Sequence, residues 1–252
     1  MATITAETGQ NGAAAFRARG PFRSPFHAVA ALVLAVSMVV GFYFDLPKYV
    51  LHRTVHFPPI LAVHSAVFVS WMLLYVVQTL LLQANQVRLH RTLGWAGVGL
   101  AAIMPPLGAA TAIVMRRFDV LTFHSTDVPR DLAFLSTTLG DIVAFTPCAW
   151  LAIAWRKRSD RHRRLMFLSI ACVAETGFGR MPIPGVTTWF FLSNVAFFAA
   201  GIAHDKLTLG RVHPVFLWGV PLIMLDEGLA MYLWQVHPAW WVAVCGWLTG
   251  IR

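Results

Sequence analysis

Charged residues are scarce in this chain: Asp, Glu, Lys and Arg make up 12% of 252 residues, whereas soluble domains carry about a quarter. So little charge cannot solvate the surface of a water-soluble globule, and that class is excluded. Cysteine is equally sparse. Cys148, Cys172 and Cys245 lie in apolar surroundings without CxxC or CxxCH spacing, which excludes a disulfide framework, a zinc ribbon and a covalently attached c-type haem and leaves them as small packing residues. The only lysines are Lys48, Lys157 and Lys206, none placed for a retinal Schiff base in a seventh helix. No histidine is preceded four positions earlier by serine, so the zinc hydrolases of the seven-helix progestin-receptor and alkaline-ceramidase type are excluded too.

What the chain has is hydrocarbon. Hydrophobic residues make up 58% of it and the mean hydropathy is +0.64. Apolar segments at about 28–44, 59–82, 92–115, 131–155, 165–180, 187–204 and 214–235 mostly approach the roughly 20 residues a bilayer crossing needs. The expected fold is all-α: a polytopic membrane bundle of about seven transmembrane helices, with the bilayer as principal partner. Residues 1–27 form a disordered cytoplasmic tail, 28–236 the transmembrane domain, and 237–252, rich in tryptophan, a short interfacial helix.

The net charge of +9 would suggest nucleic acid in a soluble protein, but here the basic residues occupy loops between apolar runs, so no nucleic-acid partner is expected. An inside N-terminus puts 13 of them in the cytoplasm, from Arg17 to Arg211, against 7 outside. The positive-inside rule then gives N-in, C-out in a bacterial inner membrane.

Ionisable groups inside spans are costly and are functional candidates by default. His64, Trp71 and Gln78 are spaced seven apart and share one face of the second segment. Asp141 follows Thr137 and Thr138 in the fourth; Glu175 lies in the fifth, with Arg180 at its outer end, and Asp226 in the seventh beside Glu227. At about 1.5 Å per residue His64 and Glu175 lie roughly 8 Å below the outer edge, with Asp141 and Asp226 near mid-depth. The expectation is one buried polar site in the outer half, built from His64, Trp71, Gln78, Asp141, Glu175 and Asp226, in which at least one carboxyl keeps its proton at neutral pH unless His64 or Arg180 supplies a compensating charge. Pro105-Pro106 is expected to break the third helix, and Gly94, Gly97 and Gly99 to permit close helix contact.

Ten histidines raise metal and haem chemistry. His90, His162, His204 and His213 fall at cytoplasmic helix ends, where two could ligate a b-type haem or a metal, or simply contact lipid phosphate and cap the turn. His52 and His56, four apart and followed by His64, are a candidate outer metal site.

The segments His64…Trp71…Gln78, Leu89-His90-Arg91-Thr92-Leu93-Gly94, Gly140-Asp141, His162-Arg163-Arg164-Leu165-Met166 and Gly210-Arg211-Val212-His213-Pro214 resemble a family of uncharacterised bacterial multi-pass inner-membrane proteins, over about residues 60–220. The resemblance implies the membrane fold and no particular activity. A looser similarity to cytochrome b561-like proteins rests on histidines at helix ends and departs from their pattern, in which the histidines lie well inside paired helices. Three functions therefore stand open: handling of protons or a small solute at the outer polar site, a haem b or quinone-linked redox component, and a structural or assembly factor without ligand. Whether the chain is an enzyme stays open.

Overall fold

The computed structural model describes residues 25–51, 55–183 and 190–251. These residues are helical throughout, with no strand among them: α1 (Phe26–Leu51), α2 (Ile60–Gln83), α3 (Val87–Thr122), α4 (Val128–Ala133), α5 (Leu135–Ala154), α6 (Ser159–Phe178), α7 (Leu192–Leu209), α8 (Pro214–Val236) and α9 (Ala239–Thr249). The sequence-derived tail lies outside the described residues up to 24, and α1 begins at Phe26, before the expected boundary. His52 also lies outside them; His56 is exposed, and no group of three metal-ligating side chains occurs among the described residues.

Local chemistry sets the helix ends. Asn85, at a φ of +58°, turns the chain between α2 and α3, and Gly210, at +70°, ends α7 with its N–H on the Lys206 carbonyl. Left-handed backbone of this kind suits glycine and asparagine. The Asp127 carboxylate accepts from the Arg130 N–H to cap α4.

α1, α2, α3, the nearly continuous α4–α5 and α8 are each long and apolar enough to cross a membrane. Their outward faces carry Val39, Leu73, Leu222 and Leu225, all exposed, whereas Arg164, Glu175, Asn194 and Asp205 are buried. That inversion is what a bilayer selects: hydrocarbon contacts lipid, and polar groups must find partners inside. The bundle is built around α6, which packs against α1, α5, α7 and α8. α6 is less apolar than the other long helices and tolerates this because its neighbours shield nearly every turn of it.

The tightest approach joins α1 to α6. A Cβ on Gly177 would lie 2.8 Å from the Met38 Cα and 3.0 Å from the Ser37 carbonyl oxygen, and one on Gly41 would overlap the Gly177 carbonyl. Small residues here let the two backbones touch. Of the glycines in α3, Gly97 meets Leu74 and Gly108 meets Ile142 and Phe68, while Gly94 and Gly99 face open space.

α3 also corrects the expectation of a break, since it runs unbroken through Pro105 and Pro106 for 36 residues. Proline removes a donor, but with no water competing for the backbone the turns on either side hold the helix together. α9, 11 residues long, is too short to span and packs on α3 and α4. Arg117 Nη1 donates to the carbonyls of Thr249 (2.7 Å) and Gly250 (3.2 Å), closing its C-terminus, and Trp241 Nε1 donates to the Ala133 carbonyl (3.1 Å).

Candidate functional site: a carboxyl cluster joining four helices

Gly140 sets the geometry of the cluster. A Cβ there would lie 3.1 Å from the Ala230 Cβ and 3.4 Å from Asp226 Oδ2, so its absence lets α8 close on α5. Ser136 fastens the same contact by donating across to the Ala230 carbonyl (2.7 Å). Asp141, the next residue after Gly140, is thereby brought beside Glu175 on α6, and the two line one small cavity. Glu227 on α8 lines the same cavity. Asn194 on α7 bridges the pair, its Nδ2 donating to Glu175 Oε2 and to Glu227 Oε1 (2.7 Å). Glu175, Asn194 and Glu227 are all buried.

Gathered in one buried site, the carboxyls of Asp141, Glu175 and Glu227 would repel one another if all were ionised, so the site favours holding a proton. Arg180, the expected compensating cation, is committed elsewhere: its Nε donates to Asp45 Oδ2 (3.2 Å), its Nη1 to the Thr176 carbonyl (2.6 Å), and its guanidinium lies over the Phe42 ring. Beside the cluster is a cavity of about 10 Å³, lined by Asp141, Glu175 and Glu227 with Thr137, Phe190 and Met231 among others. That is room for about one water molecule.

Of the sequence-derived candidates, Asp141 and Glu175 thus come together and Asp226 stands beside them, its Oδ2 buried without a hydrogen-bond partner among the described residues. His64 does not line the cavity and is stacked on Phe68 with centroids 4.0 Å apart. Trp71 packs edge-on against Phe145, and Gln78 Nε2 donates to the His90 carbonyl (3.1 Å); neither touches the carboxyls. Thr137 and Thr138 bond back to their own helix. Two members were missed. Glu227 is adjacent to Asp226, and only the rotation of α8 decides which of them faces inward. Asn194 was passed over because it carries no charge, and the cost that marks a residue inside a span was counted for ionisable groups.

The histidines divide. His90 and His162 are neighbours, centroids 6.3 Å apart and nearly perpendicular, with His162 Nδ1 on the Ala152 carbonyl (2.9 Å). His204 stacks on Phe26. His213 caps α8: its Nδ1 accepts from the Val215 N–H (3.1 Å), which leaves the proton on Nε2 to donate to Asp160 Oδ2 (3.2 Å). Burial holds this imidazole below its ordinary 6.5, outweighing the hydrogen bond to Asp160.

A second polar network, unforeseen in the sequence, holds α6 to α7 at this end. Arg164 and Asp205, each 1% exposed, form a two-pronged ion pair, with Nε donating to Oδ2 (2.8 Å) and Nη2 to Oδ1. Arg164 Nη1 donates to the Asp160 carbonyl (2.7 Å), and Asp205 Oδ2 accepts from the His213 N–H (3.2 Å).

No protein-family model, no curated protein and no solved structure matches the chain.

Proposed function

We propose that this chain is a bacterial inner-membrane protein that crosses the bilayer seven times, N-terminus inside, and that its carboxyl cluster takes up and releases protons. α6, enclosed by its neighbours, and α7, which packs on α6 and α8, complete the seven spans, and the basic loops set the orientation. The observation that carries the proton reading is the convergence of Asp141, Glu175 and Glu227 from three helices beside a cavity no larger than a water. So small a space has no room for an organic solute. Buried carboxyls that hold a proton are also the usual substance of membrane proton relays.

The test is dye-monitored proton flux in liposomes containing the purified protein under an imposed gradient. Wild type should conduct above empty liposomes, while Asp141→Asn and Glu175→Gln, which keep size and hydrogen bonding, should fold and lose the flux. Wild-type liposomes no leakier than empty ones, or variants that conduct normally, would reject the proposal in favour of a purely structural pairing. The redox alternative rests on His90 and His162 alone; a Soret band from the purified protein, lost in His90→Ala, would replace the proton reading.

A further inference from the structure

The inner face of α2 carries a row of polar atoms with no partner among the described residues: His64 Nδ1, Trp71 Nε1, Tyr75 Oη and Gln78 Oε1. At 100° per residue these four positions fall within an arc of about 60°, over a length of about 21 Å. His90 Nδ1, next to Gln78 through the bond to its carbonyl, extends the row. Trp71 and Tyr75 are the telling members, only 2% and 5% exposed and set in the apolar core. Their N–H and O–H need acceptors, and a buried donor left unsatisfied costs about 1–3 kcal/mol. Repetition of that cost along one helix face, in a protein whose lipid-facing side chains are apolar, points to a shared occupant that serves all of them.

The row runs toward the end of the bundle where the basic loops gather, and Trp71 joins it to α5 through Phe145. Asp141 and Phe145 are four apart on α5 and so share a face, and Phe145 meets Trp71 with centroids 5.4 Å apart. Tyr75 lies one turn beyond Trp71, then come Gln78, His90 and the neighbouring His162. The groups alternate in kind. Trp71 can only donate, Tyr75 can donate and accept, Gln78 offers a carbonyl oxygen, His90 can take a proton on one nitrogen and release one from the other, and His162, its Nδ1 held on the Ala152 carbonyl, takes and releases a proton at Nε2. The spaced donors and acceptors of the row suit single water molecules, each bridging two or more polar atoms, better than an organic ligand.

We infer that the inner face of α2 is a water-bridged proton path connecting the carboxyl cluster to the His90–His162 end of the bundle. It rests on the proton-handling reading of that cluster and specifies its route. Each proton accepted by His162 or His90 is matched by one passed along the row to the carboxyls, with no net change in the relay groups and no redox partner. Trp71, which cannot accept, orients the water between Tyr75 and Asp141.

The decisive measurement is infrared-monitored hydrogen–deuterium exchange of the protonated carboxyl band in the purified protein, with the band assigned by its loss in Asp141→Asn or Glu175→Gln. Tyr75→Phe and Gln78→Leu should keep the band and slow its exchange by on the order of a hundredfold, the size of effect expected when a positioned proton-transfer group is lost. Equal exchange rates in wild type and both variants would overturn the path and leave the cluster reading intact. Absence of any such band would overturn both. Radiolytic labelling in ¹⁸O-water needs no variant: Trp71 and Tyr75 should take up label from bound water despite their burial. Their remaining unlabelled while exposed Trp247 reacts would show a dry interface and refute the path.

Discussion

Separating Arg164 from Asp205 should be among the most damaging changes available in this protein. Both side chains are almost completely inaccessible, and the pair is fully served: three guanidinium nitrogens donate, to Asp205 twice and to the Asp160 carbonyl once, and the carboxylate also accepts the His213 N–H. Removing one partner of a buried pair leaves an uncompensated charge and costs about 3–5 kcal/mol. In a protein of this size each kcal/mol lowers Tm by roughly 2–4 °C, so Arg164→Met or Asp205→Leu should lower it by on the order of 10 °C. The double variant carries no stranded charge and should recover most of that loss, because a buried pair replaced by apolar groups of similar size is often neutral. Thermal unfolding in detergent, followed with a thiol-reactive dye, suits the molecule, since Cys148, Cys172 and Cys245 are all buried and react only on opening. Single variants within about 1 kcal/mol of wild type, or a double variant as unstable as the two singles added together, would show that the pair is not the clamp described.

Two further expectations use the same assay. Gly177→Ala and Gly41→Ala force the α1 and α6 backbones apart and should each cost about 1–3 kcal/mol, whereas Gly94→Ala and Gly99→Ala, whose new methyl groups meet nothing, should be neutral or stabilising by up to about 1 kcal/mol; equal effects at all four would refute the close contact. For His213 the folded imidazole titrates below 6.5, so beneath that pH the unfolded chain binds more protons than the folded one, and the stability this residue contributes is present above 6.5 and is lost as pH falls below it. Protonating Nδ1 also removes the acceptor that caps α8. Tm of wild type should therefore fall on acidification more steeply than that of His213→Asn, and parallel profiles would contradict the cap.

Composition and apolar run length determined the solvent of this protein. Twelve per cent charge and repeated hydrophobic stretches are compatible only with lipid, and helices follow because a backbone in hydrocarbon must satisfy its own hydrogen bonds. Periodicity likewise put Trp71 and Gln78 on one face, and the cost of buried charge picked out Asp141, Glu175 and Asp226. Which of these would meet was a tertiary matter. The choice of Glu227 over Asp226 as the carboxyl bridged to Glu175 turns on the rotation of α8 against α5 at Gly140, set by a contact between residues ninety positions apart. Asn194, and Arg180's engagement with Asp45 rather than with the carboxyls, depend equally on which helices pack together. Arg164 reads as a loop cation in the sequence, and only the approach of α7 supplies the carboxylate that allows it to be buried. The continuity of α3 through two prolines was decided by the surroundings too, because local sequence counts the hydrogen bonds proline removes but not the packing and dry environment that hold the neighbouring turns in place.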